Sequence, residues 1–283
     1  VVLLVQKFYD VNDFKRVMLP LLEKEEAVNG LPLGILMNIN EMIKPIIMAG
    51  VYKDEQPILM LFQTHPKQII VSIFPGMTPL ELPLVSKLIH ENIEEIPGFI
   101  GEKAIVQELA QHIATLRQVN VVLGMDQRIY QLKEVKKKPS NVGRFRWITS
   151  RDQVLIQQWI YDFALSINQP LEMEQAGIRA EEIIQGGKLA GWEVDNQLVS
   201  MANASRPTKN NITINFVYTP ESYRRKGYAT NCVAELSERL LKSGYSSTSL
   251  YTDITNPTSN KIYMDIGYEP MKDSILLFFE KKN

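Results

Sequence analysis

One cysteine, Cys232, and three histidines are all the thiol and imidazole that 283 residues provide. A lone thiol cannot close an internal disulfide or build a cysteine metal site, so a disulfide scaffold is excluded, no metal is expected, and a reducing cytoplasmic setting is anticipated. His65, His90 and His112 all lie in the first half, which removes imidazole from the candidate chemistry of the second. A Ser-His-Asp triad, or a Cys-His pair around Cys232, finds no support. No apolar run approaches the roughly 18 residues of a membrane helix. The opening Val1 to Val5 is too short, and lacks the preceding basic region, for a signal peptide. Neither sign of charge dominates: 31 Lys and Arg face 32 Asp and Glu, with 15 against 16 over residues 1–142. No bulk basic field points to nucleic acid or an anionic membrane.

What remains is an ordinary globular composition, 45% hydrophobic and 22% charged. The length is about twice that of a typical domain, so two domains are expected. The clearest break is Glu134 to Gly143, EVKKKPSNVG, where lysines, Pro139, Asn141 and Gly143 interrupt apolar periodicity. It divides the chain into domains 1–138 and 143–283. Beyond it, Arg144 to Ile148 reads as a strand. Ser150 with Gln153 has the form of a capping box, opening a helix with Leu155, Trp159, Phe163 and Ile167 at helical spacing. A helix over 172–185 stops at Gly186-Gly187, and a hairpin over 188–204 turns at Asp195-Asn196. Strands are predicted over 213–218, 248–253 and 274–280, and helices over 230–242 and 256–266. The mixture, hairpins first and a strand-helix-strand unit later, is that of an α+β fold with a mostly antiparallel mixed sheet flanked by helices.

The halves echo one another. Ala49 to Pro66, AGVYKDEQPILMLFQTHP, lies over Ala190 to Pro207, AGWEVDNQLVSMANASRP, without a gap and with six of eighteen positions identical. Both copies lead into another apolar strand, which points to duplication.

The chemistry concentrates in Val217 to Thr230, VYTPESYRRKGYAT. A strand runs into Pro220, a loop carries Arg224, Arg225, Lys226, Gly227, Tyr228 and Ala229, and an amphipathic helix follows with Val233, Leu236 and Leu240 inward. That order places unpaired N–H groups and the positive end of a helix dipole at the loop, a setting for pyrophosphate. Gly227 allows close approach of the backbone, Ala229 leaves room in the first turn, and the basic run adds charge. A second element, Asn256 to Tyr268, starts a helix just beyond a strand and sets Ser259 and Tyr263, four apart, on one face.

With both elements in view, residues 144–283 resemble the GNAT superfamily of N-acetyltransferases. In that family the Arg-x-x-Gly-x-Ala loop, matched by Arg224 to Ala229, holds the pyrophosphate of acetyl-CoA. The preceding strand, matched by Phe216, Val217, Tyr218 and Thr219, pairs its backbone with the pantetheine arm. Asn256, Ser259, Tyr263 and Gly267-Tyr268 match the family's later helix motif. The resemblance implies acetyl-CoA as cosubstrate and Arg224, Arg225, Lys226, Gly227, Tyr228, Ala229, Thr230, Asn256 and Ser259 among its contacts. It also implies direct attack by an amine, small-molecule or peptide. Through the repeat, the first half is similar to a degenerate unit of the same kind. Where the second half has its basic loop, the first reads Pro-Gly-Met-Thr-Pro-Leu-Glu-Leu-Pro-Leu, so a single cofactor site is expected.

Tyr263 is the candidate general acid, a phenol of reference pKa about 10 facing a thiolate of about 8.5. The base is open: the strand 213–218 offers Asn215 rather than a carboxylate, Glu193 and Asp253 are the nearest strand-associated acids, and water is a third route. Trp159, Phe163 and Trp192 are candidates for an acceptor cleft. Whether the first domain completes that cleft or serves a homodimer is not decided by the residues. A non-catalytic acyl-CoA sensor is the alternative. A nucleotide-phosphate binder is disfavoured, because neither a Gly-Lys-Ser/Thr signature nor an acidic magnesium site accompanies the loop.

Overall fold

The structure, a computed structural model, describes residues 2–39 and 44–282; Val1, residues 40–43 and Asn283 lie outside the described residues. In chain order its elements are β1 (Leu3–Lys7), α1 (Val11–Leu22), α2 (Gly30–Asn38), β2 (Ile47–Lys53), β3 (Gln56–His65), β4 (Gln68–Ile73), α3 (Leu82–Asn92), β5 (Gly98–Glu102), α4 (Lys103–Arg117) and β6 (Val119–Leu132). Then follow β7 (Arg144–Trp147), α5 (Gln153–Ser166), α6 (Met173–Gln185), β8 (Leu189–Val194), β9 (Gln197–Ser205), β10 (Asn211–Tyr218), α7 (Tyr228–Lys242), β11 (Ser247–Asp253), α8 (Pro257–Ile266) and β12 (Glu269–Lys281).

Two compact units divide the chain. One is Val1–Ile129 with Thr252–Asn256 and Pro270–Asn283, the other Tyr130–Tyr251 with Pro257–Glu269. The expected single cut near residue 139 and these interleaved units differ mainly in the last strand. Ser274 to Phe278 pair antiparallel with Gly98 to Glu102, and Ile275 and Leu277 enter the first unit's core. Gly98 lets the two backbones meet, since a Cβ there would stand 2.4 Å from the Leu277 carbonyl oxygen.

In the first unit the strands run β1-β2-β3-β4-β5-β12, and only β4 pairs β5 in parallel. Leu82, Val85 and Ile89 of α3, with Leu109 and Ile113 of α4, cover one face. Phe14, Met18 and Leu22 of α1, with Leu33 and Leu36 of α2, cover the other. The second unit repeats this plan as β6-β11-β10-β9-β8-β7, residues 130–132 of β6 belonging to it. There β10 pairs β11 in parallel, and the β9 and β8 ladders are antiparallel. Val233, Leu236 and Leu240 of α7 join Tyr263 and Ile266 of α8 on one face. Ile156, Trp159 and Ile160 of α5 join Ala176, Ala180 and Ile183 of α6 on the other.

Register carries the duplication further than identity does. Shifting by 141 (190 minus 49), the pairs Ala49↔Leu61 and Gly50↔Met60 become Ala190↔Ala202 and Gly191↔Met201, and both hairpins slip register at the same place, between Val51 and Tyr52 and between Trp192 and Glu193. Their turns match as well: Asp54 and Glu55 have φ of 46° and 70°, Asp195 and Asn196 49° and 62°, the left-handed pair of a type I′ hairpin.

One local expectation is corrected. The box before α5 is made by Thr149 with Asp152, over a 3-10 turn at Ser150–Asp152, not by Ser150 with Gln153. The helix is thereby phased so that Ile156, Trp159, Ile160 and Ala164 are buried, while Leu155 and Ile167, expected inward, are 40% and 44% exposed.

Candidate active site

The central strand β10 is irregular where the site is expected. Against β9 it pairs Asn215 with Asn203 and then Tyr218 with Met201, so three steps on one strand meet two on the other. The extra residue is a β-bulge, and Phe216 sits in it at a φ of 48°. On its other side β10 pairs with β11 only from Asn211↔Ser247 to Ile214↔Leu250, although both strands continue. Beyond Ile214 the backbone of Asn215, Phe216, Val217 and Tyr218 therefore stands outside the parallel ladder. Its N–H and C=O groups can receive an extended, amide-bearing ligand as an added strand would be received.

The loop after β10 leads straight to α7. Arg225 and Gly227 adopt φ of 62° and 79°, and Gly227 is the N-cap, where no side chain accepts a hydrogen bond from the first turn. Asn231 N–H donates to the Gly227 carbonyl at 3.0 Å, so the N–H groups of Tyr228, Ala229 and Thr230 precede the first intrahelical bond. A Cβ at Gly227 would meet nothing within 4 Å. Glycine is thus required there by backbone conformation, and the space beside it is open. Arg224 Nε donates to the Thr219 carbonyl at 2.9 Å, with its guanidinium 6.0 Å from the Tyr218 ring centroid. Lys226 Nζ lies 5.9 Å from the Tyr223 ring, and Arg225 is exposed.

Tyr263 is buried in α8, within the cluster against which Val217 and Tyr228 pack. Its hydroxyl has no hydrogen-bond partner among the described residues, and burial pushes its pKa well above the usual phenol value. Tyr268 is a different kind of tyrosine. Its hydroxyl is held by Ser237 Oγ at 2.9 Å and Thr248 Oγ1 at 2.8 Å, which makes it a structural anchor, with a pKa pushed up to about 12 by burial. Ser259 is half-buried one turn before Tyr263. Asn256 stands just ahead of α8 within the first compact unit, its N–H donating to the Asp253 carbonyl at 3.1 Å.

Both acidic base candidates have other work. Arg144 donates through Nε at 2.8 Å and Nη2 at 2.5 Å to Glu193 Oε1, and Arg146 Nε donates to Oε2 at 2.6 Å. These arginines hold the Glu193 carboxyl below its ordinary pKa, so it is a poor proton acceptor. Asp253 Oδ1 accepts from Thr255 N–H at 2.8 Å and Thr255 Oγ1 at 2.7 Å, closing an Asx turn. Asn215 forms an amide row, accepting from Asn203 at 2.9 Å and donating to Ser205 Oγ at 2.8 Å. Cys232 is fully buried and its thiol is pushed far up by desolvation, as a packed side chain rather than a nucleophile.

The aromatic candidates separate. Trp159 and Phe163 reach β10, with ring centroids 5.9 Å from Tyr218 and 5.3 Å from Phe216. Trp192 does not join them: strand alternation turns it into the α7 face, where its Nε1 donates to the Val142 carbonyl at 3.0 Å. Two features are not evident in the sequence, the bulge at Phe216 and Asp162, half-buried on α5 where it acts on the Tyr218 hydroxyl. The helical spacing of 159, 162 and 163 is the signal that would have found Asp162.

The first unit fills the corresponding place with its own groups. Its β4 runs without a bulge opposite Met60 to Phe62. The turn ahead of α3 is closed by Glu81, whose Oε2 accepts from Thr78 N–H at 3.0 Å and Thr78 Oγ1 at 3.1 Å while Oε1 meets Lys53 Nζ at 2.5 Å. A carboxylate thus stands where an anionic ligand would have to enter.

Comparison with known proteins agrees with this asymmetry. The family model described as Acetyltransferase (GNAT) family matches residues 155–268. Residues 155–268, which lie in the second unit apart from 252–256, thus match the GNAT family of acetyltransferases, a class of acyltransferase. Solved structures extend the likeness of fold over the whole chain. A GNAT-family acetyltransferase from Colwellia psychrerythraea is similar at a TM-score of 0.62 and 12% identity, over 98% of this chain and 99% of that one. A GCN5-related N-acetyltransferase from Sphaerobacter thermophilus gives 0.62 and 11% over 97% and 94%. A tandem GNAT protein from the clavulanic acid biosynthesis pathway gives 0.56 and 11% over 99% and 98%. No curated protein sequence matches the chain.

Proposed function

We propose that the second unit transfers an acetyl group from acetyl-CoA to a primary amine of a small molecule or peptide. The observation that carries this reading is the uncapped α7 N-terminus beside Arg224, Arg225 and Lys226, following directly on a strand that leaves its ladder at a bulge. The residues present fit the cosubstrate. Backbone N–H groups of Gly227, Tyr228, Ala229 and Thr230, with the three cations, suit a pyrophosphate. The backbone of Phe216, Val217 and Tyr218 outside the parallel ladder, continuing into Thr219, suits a pantetheine arm, and Ser259 lies one turn before Tyr263 on α8. When bound, the thioester supplies an activated acyl group.

The chain's own part is positional and protolytic. The bulge would orient a bound thioester against β10, where an oriented amine could attack it, forming the C–N bond as the C–S bond breaks. Tyr263 Oη gives its proton to the departing thiolate. With Glu193 and Asp253 engaged, the amine's proton leaves through water along the Asn203-Asn215 row. The lone buried thiol suits a reducing cytoplasmic setting.

The engagement of Glu193 by two arginines favours a second reading, an acyl-CoA-binding module without turnover. Thiol release from acetyl-CoA across a panel of amines, alongside calorimetric binding of acetyl-CoA and ATP, separates the readings. Acetyl-CoA binding with amine-dependent thiol release supports transfer. Binding without release for any amine leaves the sensor, and preference for ATP removes both.

A further inference from the structure

We propose that Asp162 binds the ammonium group of the acceptor, with Phe163 and Phe216 as the apolar wall beside it, so that the acceptor is a cationic amine carrying an aromatic or other apolar group. This rests on the acetyl-transfer reading and names the substrate class for the same site.

The placement follows from α5. Trp159, Asp162 and Phe163 stand at i, i+3 and i+4, and so share one stripe of the helix. The two aromatic members of that stripe touch β10 at Tyr218 and Phe216, the residues on and beside the bulge. Asp162, half-buried on the same stripe, reaches the same strand end, where its carboxylate acts on the Tyr218 hydroxyl. Gln158 Nε2 donates to its Oδ1 at 2.9 Å, which fixes the carboxylate without neutralising it.

Charge distinguishes Asp162 from the unit's other sheltered acids. Glu193 and Asp152 are each closed by arginine, whereas Asp162 forms no ion pair among the described residues. Arg224, which acts on the same Tyr218 hydroxyl as Asp162, has its Nε on the Thr219 carbonyl. A fixed carboxylate without an ion pair, beside the Tyr218 hydroxyl and on the helix stripe whose Trp159 and Phe163 rings meet Tyr218 and Phe216, has the chemistry that selects an organic ammonium: a counter-charge, aromatic faces for the cation and an apolar surface for its substituent. An anionic acceptor, such as an amine beside a free carboxylate, would be repelled.

The test is calorimetric binding of 2-phenylethylamine and its neutral analogue 2-phenylethanol to the full chain, alone and with CoA present, for the wild type, Asp162→Asn and Asp162→Glu. The amine is expected to bind the wild type at least ~10-fold more tightly than the alcohol, and Asp162→Asn to weaken the amine ~10- to 100-fold, as loss of a charged hydrogen bond does. Asp162→Glu should recover most of the loss, and circular dichroism should be unchanged throughout. Equal amine binding by wild type and Asp162→Asn, equal binding of amine and alcohol, or no saturable amine binding overturns the assignment. Failure of acetyl transfer shows instead in thiol release and leaves these affinities to be read independently.

Discussion

In the proposed transfer Tyr263 carries the heaviest chemical burden of any side chain. Its unpartnered hydroxyl and raised pKa mean that it holds its proton across the physiological range and is available to give it up only to a group that appears during reaction. Tyr263→Phe removes that proton and little else, because the ring packing stays. The expected result is a fall in turnover of ~100-fold or more with acetyl-CoA affinity within about twofold. Because burial raises the pKa, ionisation of Tyr263 contributes no alkaline limb below about pH 10. A turnover profile whose fall below pH 9 disappears in Tyr263→Phe would contradict this. The neighbouring tyrosine shows why sequence alone could not rank the pair. Tyr263 lies within α8 and Tyr268 two residues beyond its end, both in an apolar setting, and only the positions of Ser237 and Thr248 reveal that one hydroxyl is spent on structure.

Glu193 teaches the converse. Read along the strand it is an acid near a reaction centre; in the fold it is the hub between Arg144 and Arg146, the latter also bidentate to Asp152 at 2.8 Å and 2.8 Å. The carboxyls of Glu193 and Asp152 are held below their ordinary values by the arginine hydrogen bonds, so their folded pKa lies below the unfolded one. Stability from this network is therefore present above about pH 4.5 and is lost as pH falls through the folded values. Glu193→Gln is expected to cost about 1–3 kcal/mol at pH 7, less than a fully buried pair because Arg144 is largely exposed, and to flatten the acid side of the stability curve. Denaturant unfolding at pH 7 and pH 3.5 checks both. A variant as acid-labile as the wild type would show that these carboxylates do not govern acid unfolding.

Among the elements, α7 and the loop ahead of it differ most between the two halves. The helix is amphipathic in either half, and its inward residues Val233, Leu236 and Leu240 were plain from periodicity. Conformation at the join was less accessible. The Arg-Arg-Lys-Gly run announces charge, but only the backbone shows that Gly227 is needed for its φ of 79° rather than for room. Gly227→Ala is accordingly expected to strain the loop by about 1–2 kcal/mol, lowering Tm by only a few degrees, and to weaken acetyl-CoA binding roughly 5- to 30-fold. Isothermal titration against thermal unfolding separates this from an ordinary core defect. The bulge on β10 was illegible for a related reason: Phe216 is a poor residue for a left-handed φ, so propensity argues against the conformation that tertiary pairing imposes.

Duplication explains both what the sequence disclosed and what it hid about the chain entire. Hairpin register survives at identical spacing because a one-residue slip would turn every core side chain to the wrong face. Loops carry no such constraint, so the two copies diverge where one keeps an open helix end and the other closes its own with Glu81. The loop at 134–143 was visible as composition, although the compact units part at Ile129 and Tyr130, and the return of the last strand was not visible, since nothing local in Ser274 to Phe278 names its partner. That return makes the C-terminus part of the N-terminal unit's core. Ile275, Leu276 and Leu277 are each at most 5% exposed, and burying side chains of this size is worth ~1.5–3 kcal/mol apiece. Together with the lost ladder to β5, their removal rivals the ~5–15 kcal/mol that holds a domain folded. Truncation after Glu269 is thus expected to unfold the first unit, far in sequence from the cut. Hydrogen exchange should show protection lost in β4 and β5 of the truncated chain. Retained protection there, with loosening confined to residues 143–269, would mean that the first unit stands without its returning strand.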